Sequence, residues 1–265
     1  MKGKSENIYH KLPILDGLEL LDAKHHALNF PFHSHDTFNI TLVLEQTFST
    51  KLADRLLHSP AGTITITNPG EVHATVCDNK TGSSFFTLYL SPDVMKKIGG
   101  ERIVFFENKI IDDQSIFQAF YRLTQDLGTA DHQHEKKLLD VLSRLVEEYA
   151  NDGPDDNKRI NLFREFLEED NTERFSLENT ARRFGLDKFK FLRLFKQYTG
   201  LTPNNYIILK RIEESKTLLQ TDDDLLGVAI QSGFYDATHF SKHFKKITGV
   251  TPMAYRNAML CNIVP

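Results

Sequence analysis

The chain has 265 residues, 32 Lys+Arg against 36 Asp+Glu, a formal net charge of −4 and two cysteines. That length suits two domains, and the slightly acidic total excludes a protein that coats nucleic acid by bulk charge. Cys77 and Cys261 stand far apart, as in a reducing compartment rather than a disulfide scaffold. No run approaches the ~18–20 apolar residues of a membrane span, and MKGKSENIYHK at the start has no apolar signal core. Gly-rich phosphate loops, nucleophile elbows and CxxC pairs are absent from the sequence. The expectation is a cytoplasmic protein that touches no membrane and is not an enzyme.

Residues 38–48, 62–67 and 83–90 are rich in Thr, Val, Ile and Phe, and TITIT at 63–67 alternates with period two. SPAG at 59–62 and NPG at 68–70 punctuate them, which predicts an antiparallel barrel or sandwich over residues 1–112. His33-Ser34-His35 precedes the first long strand, and NPGEVH at 68–73 follows the TITIT strand. Together the two phrases resemble the two cupin motifs. Side chains at i and i+2 of a strand share a face, so His33 and His35 can point into the barrel with His73. The resemblance implies three imidazoles as in metal-binding cupins. Four residues past the second histidine, where those cupins place a ligating glutamate, this sequence has Asn39. The other reading is that these side chains line an organic-ligand pocket or hydrogen-bond within the barrel. We expect His33, His35, Asn39 and His73 in an effector pocket, with no metal or other cofactor assigned. His25, His26 and His58 read as surface residues.

A helical pair is expected over residues 113–150. Ile116, Phe117, Phe120, Leu123 and Leu127 follow helical spacing, as do Leu138, Leu142, Leu145 and Tyr149. The second set is close to a heptad seam. Either the pair packs against the barrel or one helix forms a homodimer contact. Residues 151–158, NDGPDDNK, hold Gly, Pro and charge but nothing apolar, a linker composition.

Beyond the linker the chain writes one passage twice. Residues 191–206 read FLRLFKQYTGLTPNNY and residues 240–255 read FSKHFKKITGVTPMAY; shifted by 49 positions, eight of sixteen are identical. A repeat of this length is one supersecondary unit used twice. Each copy opens with a small residue four positions before a glycine, Ala181 with Gly185 and Ala229 with Gly233. Glycine supplies the positive φ of a tight turn, and Asp187 or Asp236 then caps a helix. That helix has an apolar face (Phe191, Leu194, Phe195; Phe240, Phe244) and a basic one (Lys188, Lys190, Arg193, Lys196; Lys242, Lys245, Lys246). Gly200 and Gly249 stop it, and Pro203 and Pro252 open the next helix. The units are helix-turn-helices, at about residues 176–199 and 225–248. Their turns differ by one residue.

SLENTARRFGL at 176–186 and GFYDATHFSKHFKKITGVTPMAYR at 233–256 resemble the AraC/XylS family of bacterial transcription regulators. The likeness covers roughly residues 159–258, and the cupin phrases match the effector-binding domain of that family. It implies a two-domain α+β protein: a cupin-like barrel, a helical dimerisation region, and an all-α domain at 159–265. In that domain a connector helix from about Pro203 to Leu219 would join the two helix-turn-helices, seven helices in all. The positions that the family uses for base contact match Phe189, Lys190, Leu192 and Arg193 in the first unit, and Thr238, His239, Ser241 and Lys242 in the second. Arg193 suits guanine, because a guanidinium binds O6 and N7 together. Lys196, Lys245, Lys246 and Arg256 are matched to the DNA backbone. Between residues 182 and 196 six basic residues face one acidic, a patch that would neutralise phosphates.

The resulting expectation is a ligand-responsive activator. Its partners are double-stranded DNA, a small-molecule effector, RNA polymerase and a second copy of itself. The alternatives are a cupin-type metalloenzyme built on His33, His35 and His73, and a regulator whose barrel only dimerises. Because the frame is repeated while the base-facing positions differ, each monomer should read an asymmetric site.

Overall fold

The computed structural model describes residues 5–15, 17–77, 82–125, 132–152, 176–221 and 223–261. The chain forms two compact units, one rich in strands and one helical. Among the described residues nine strands come before any helix: β1 (Glu6–Lys11), β2 (Glu19–His26), β3 (Phe30–His33), β4 (Phe38–Glu45), β5 (Phe48–Lys51), β6 (Leu56–Ser59), β7 (Ile64–Thr67), β8 (His73–Val76) and β9 (Ser83–Leu90). Then follow α1 (Pro92–Ile98), β10 (Val104–Phe105), β11 (Ile110–Ile111), α2 (Gln114–Gln125), α3 (His132–Tyr149) and β12 (Asn151–Asp152).

The large sheet has the order β1-β2-β9-β4-β7-β11 and the small one β3-β8-β5-β6. Pairing of β4 with β9 runs from Phe38 opposite Leu90 to Val43 opposite Phe85 before a bulge shifts the register. That register sorts the large sheet into two faces. Phe38, Ile40, Leu42, Ile64, Ile66, Phe86, Leu88 and Leu90 join one buried cluster with Ile116, Phe117, Phe120, Leu138, Leu142 and Leu145 of α2 and α3. The opposite face carries Asn39, Thr41, Val43, Thr65, Thr67, Phe85, Thr87 and Tyr89, by strict alternation. It turns toward the small sheet: Phe48 packs edge-on against Phe85 with ring centroids 4.7 Å apart, and Thr65 donates to Ser59 at 2.5 Å. The interior of the barrel is therefore largely hydroxyl and amide, while the oily core lies outside it, under the helices.

Several expectations are revised by the structure. Three strands, β1, β2 and β3, precede the segment read as the first long strand. The run at 38–48 is two strands in different sheets, broken at Gln46, whose φ is 62°. His26 is not a surface residue: it is 1% exposed, with its ring nitrogens on Asn7 Oδ1 (3.1 Å) and the Leu28 carbonyl (2.8 Å). Asn151 and Asp152, expected in a linker, pair with Phe105 and Val104; residues 153–158 lie outside the described residues, as does Leu127. The seam of Leu138, Leu142 and Leu145 is buried within the unit. A dimer contact on α3 would have to use another face.

Six helices are described after residue 176: α4 (Leu177–Arg183), α5 (Lys188–Thr199), α6 (Pro203–Leu218), α7 (Leu225–Gln231), α8 (Ala237–Thr248) and α9 (Pro252–Cys261). A seventh, expected before residue 176, falls outside the described residues. The long α6 is the connector, started by Pro203 in its first turn and by the Thr202 hydroxyl, which accepts from Asn205 N–H. Phe191, Phe195, Phe240 and Phe244 are fully buried, and Phe195 and Phe244 meet Tyr206 and Tyr255 edge-on at 5.7 and 5.4 Å. Leu194 is only half-buried.

Candidate functional site

The duplication visible in the sequence is reproduced bond by bond. Leu186 N–H donates to the Ala181 carbonyl at 2.9 Å, and Phe234 N–H to Ala229 at 2.8 Å, so α4 and α7 end in the same turn. Gly185 and Gly233 take φ of 64° and 79°, a conformation costly for any residue with a Cβ. The one-residue difference between the turns is Tyr235, which the second copy inserts and leaves 71% exposed. Asp187 Oδ1 then accepts from Phe189 and Lys190 N–H (2.9 and 3.0 Å), and Asp236 Oδ1 from His239 N–H (2.7 Å). The Lys190 and Phe189 amides hold the Asp187 carboxyl below the ordinary carboxylate range. At the far ends Thr199 and Thr248 donate to the carbonyls four residues back, at 2.8 and 2.9 Å.

On this frame the expected reading residues fall into distinct settings. Phe189, Lys190, Arg193 and Lys196 on α5 are exposed, with Phe189 at 72%. Such exposure leaves Phe189 outside the core. Leu192 is half-buried. On α8, Thr238, Lys242, Lys245 and Lys246 are exposed and Ser241 is half-buried. His239 is partly packed: its ring lies edge-on to Phe234 (5.6 Å) and to His243 (4.6 Å), and its Nδ1 is buried without a hydrogen-bond partner among the described residues. Burial, then the charges of His239, Lys246 and Lys242, pull His243 below the ordinary histidine value.

Arg256, expected on the DNA backbone, has an intramolecular setting: its guanidinium donates to the Leu219 carbonyl at 2.8 Å and the Asp223 carbonyl at 2.6 Å. The first of these carbonyls caps the C-terminal end of α6, where unpaired acceptors and the helix dipole favour a cation; the second belongs to the turn before α7. Two further residues escaped sequence reasoning. Lys188, counted with the basic face, bonds to Glu178 Oε1 at 2.9 Å, and Arg211 of the connector lies beneath Gly233.

In the barrel the two histidine phrases are tied together: Gly70 N–H donates to the His35 carbonyl at 2.7 Å. The NPGEVH turn is itself anchored. Asn68 exchanges two 2.9 Å hydrogen bonds with the Phe106 backbone, and Glu71 accepts from Asn68 N–H (3.1 Å) while pairing with Lys109 at 2.9 Å. Lys109 is 6% exposed; burial lowers its pKa and Glu71 opposes that shift. The result is a cluster in which one nitrogen from each of His33, His35 and His73 lies within 4.8 Å of the other two. His33 Nδ1 donates to the Pro31 carbonyl at 2.6 Å and His73 Nδ1 to that of Glu71 at 2.9 Å. Burial, then the nearby His35, lowers His73 from 6.5 to about 3, so it is neutral near pH 7. Three imidazoles grouped in this way are a donor set that fits a transition ion. Beside them stand Tyr89, 5.5 Å from His35 between ring centroids, and Asn39, which is opposite Tyr89 in the sheet. A separate cleft of about 580 Å³, lined in part by Asp22, Lys24, Glu45, Phe117 and Tyr121, opens by α2.

An AraC-like ligand binding domain model matches residues 17–146, and a helix-turn-helix domain model matches residues 180–258. The chain belongs to the AraC family of transcription regulators. Its relatives include the HTH-type transcriptional activator RhaS of Escherichia fergusonii, 27% identical over 246 residues (86% of this chain, 87% of that one). They also include the HTH-type transcriptional regulator YbfI of Bacillus subtilis, 25% identical over 224 residues (79% and 81%). In fold it is similar to apo ToxT of Vibrio cholerae, with a TM-score of 0.61 at 14% identity over 92% of this chain and 97% of that one. ToxT with an unsaturated fatty acid bound gives 0.53 at 14% identity over 97% of each chain. The protein is a DNA-binding transcription regulator; no described helix is long and apolar enough to cross a membrane.

Proposed function

We propose that the protein binds double-stranded DNA sequence-specifically through α5 and α8, in response to a small effector held in the barrel. The observation that carries this reading is the repeated cap-and-turn frame, which presents unlike side chains at its two outward faces. Lys190 and Arg193 on α5, and Thr238 and Lys242 on α8, are the exposed base readers. Leu192, Ser241 and His239 give these faces their shape, and Phe189 meets an apolar base edge such as the thymine methyl. Lys196, Lys245 and Lys246 hold phosphates, so affinity falls steeply with salt. The reading continues to a cytoplasmic homodimer that activates through RNA polymerase, by analogy with RhaS, whose name marks it as an activator.

For the effector, the lining supports a small polar molecule touching His35, Asn39 and His73. Thr41 and Thr87 bond to each other at 2.9 Å, and Thr50 Oγ1 is buried with no partner among the described residues. Buried polar groups without partners cost stability, so a ligand with hydroxyl or carbonyl groups gains by satisfying them. Selection of bound sequences from a random DNA pool tests the DNA reading. It should enrich two different half-sequences about one helical turn apart for each monomer. Enrichment of no sequence, or of one half-sequence repeated, would sink it.

A further inference from the structure

We propose that the cleft beside α2 is a second small-molecule site, separate from the barrel interior, and that it takes a protonated primary amine on a short aromatic body. Its volume of about 580 Å³ falls in the range of small-ligand sites. The strand wall is built by two bulges at one level. Lys24 and His25 of β2 stand between Ala23, opposite Phe85, and His26, opposite Ser83. Leu44 of β4 stands between Val43, opposite Phe85, and Glu45, opposite Ser84. In a regular strand successive side chains point to opposite faces, yet Lys24 with His25, and Leu44 with Glu45, all line this cleft. Bulges re-aim side chains in this way beside functional sites. His25 holds a left-handed φ of 48° there, and strain of this kind gathers at ligand clamps.

The lining favours a cation. Ser84, buried in the wall, accepts from His25 N–H at 3.2 Å and donates to Glu45 Oε2 at 2.8 Å. That relay orients the Glu45 carboxylate, which forms no ion pair among the described residues. Lys24 lies 3.6 Å from Asp22, so these two charges offset each other and Glu45 leaves the described lining one negative charge in excess. Gln114 donates its Nε2 to the Gly62 carbonyl at 3.0 Å, and its Oε1 is then the end that accepts. The helix wall carries Phe117 and Tyr121, one turn apart, with ring planes 9° apart and centroids at 6.2 Å. The π faces of such rings attract a cation, and their apolar area suits an aromatic body. An ammonium donates in three directions and accepts in none, which matches a carboxylate, an amide oxygen and ring faces. A ligand carboxylate would meet Glu45 as a like charge and is repelled.

The test is titration of the full-length protein with phenethylamine at neutral pH, followed by ligand-observed NMR. Saturable binding with a Kd of about 1 mM or tighter is expected. Phenethyl alcohol, which keeps the ring and loses the charge, should bind about tenfold more weakly, and phenylacetate should not compete. Glu45→Gln should weaken the amine by about tenfold as well, with thermal unfolding confirming that this exposed position leaves the fold intact. Tyr121→Leu keeps an apolar side chain but removes a ring face, and should weaken the amine more than the alcohol. Glu45→Lys reverses the charge and should admit phenylacetate in place of the amine. Because that variant gains a ligand, misfolding cannot imitate it. No amine binding up to ~10 mM, or equal binding of amine and alcohol, overturns the site. Amine binding unchanged in folded Glu45→Gln also overturns it and puts the ligand elsewhere in the protein. The DNA selection is run without amine, so failure of this site leaves the regulator standing, and failure of the selection leaves the amine titration readable.

Discussion

Substituting the two turn glycines by alanine separates backbone strain from close packing. Both take positive φ, so each alanine costs about 1–2 kcal/mol in conformation alone. At Gly185 nothing lies within 4 Å of the new Cβ. At Gly233 the Cβ would sit 2.8 Å from Arg211 Nε and 3.0 Å from its Cζ. That nitrogen is buried beneath the turn, so the guanidinium has to move, which adds about 1–3 kcal/mol. Gly185→Ala should therefore cost roughly 1.5 kcal/mol and Gly233→Ala roughly 3.5 kcal/mol. For a domain of this size the melting temperature falls by about 4–8 °C per kcal/mol, a gap well above error in thermal unfolding followed by circular dichroism. Shortening the obstacle isolates the mechanism: in an Arg211→Ala background Gly233→Ala should cost no more than Gly185→Ala, a coupling of about 1–3 kcal/mol in the double-mutant cycle. Equal losses at the two glycines, or independent effects of Gly233 and Arg211, would refute the argument.

Arg193→Ala should weaken binding to the preferred site by about 1–3 kcal/mol and relax sequence preference at one base pair; uniform weakening across sequences in a binding assay would make it a phosphate contact. Arg256→Ala removes bonds to the Leu219 carbonyl at the end of α6 and the Asp223 carbonyl before α7, and should destabilise the fold by about 2–3 kcal/mol in chemical denaturation. Its salt dependence of DNA binding should match that of the wild type, whereas Lys246→Ala should reduce the slope by about one. His26 is pulled below its ordinary value, chiefly by burial. Its folded pKa is therefore lower than its unfolded one, so the stability present above about pH 6.5 is lost as the pH falls toward the folded value. Denaturation between pH 7.5 and 5 should show a shallower decline in His26→Gln than in the wild type, and parallel curves would contradict this.

The helix-turn-helix frame was legible because its signals are local. A capping aspartate, a turn glycine and a stop glycine each act within a few residues, and 49 positions later the chain repeats them. The intramolecular bonds of Arg256 were not legible for the opposite reason: its carbonyl partners lie 33 and 37 residues away, on another turn of chain. The threonine-lined interior could not be read from composition. Thr41, Thr65 and Thr87 look like strand residues of either face, and only the registers of β4 with β7 and β9 decide which way they turn. His26 reads as a surface residue by type, yet an imidazole whose two ring nitrogens both meet polar partners is well accommodated in a core. HSH and NPGEVH were readable as a pair. Their convergence depends on the Asn68–Phe106 exchange and the Lys109–Glu71 ion pair, which no short motif announces.

Unlike side chains on a repeated frame have a consequence for the geometry of control. A protein that reads the same sequence twice about a symmetry axis sits on DNA equally well facing either way. Here α6, sixteen residues and so about 24 Å long, joins a face bearing Phe189 and Arg193 to one bearing Thr238 and Lys242. A single chain so built has a head and a tail along the duplex. Inverting its site would reverse the molecule, and any surface that it offers to its neighbours would then point away from the gene rather than toward it.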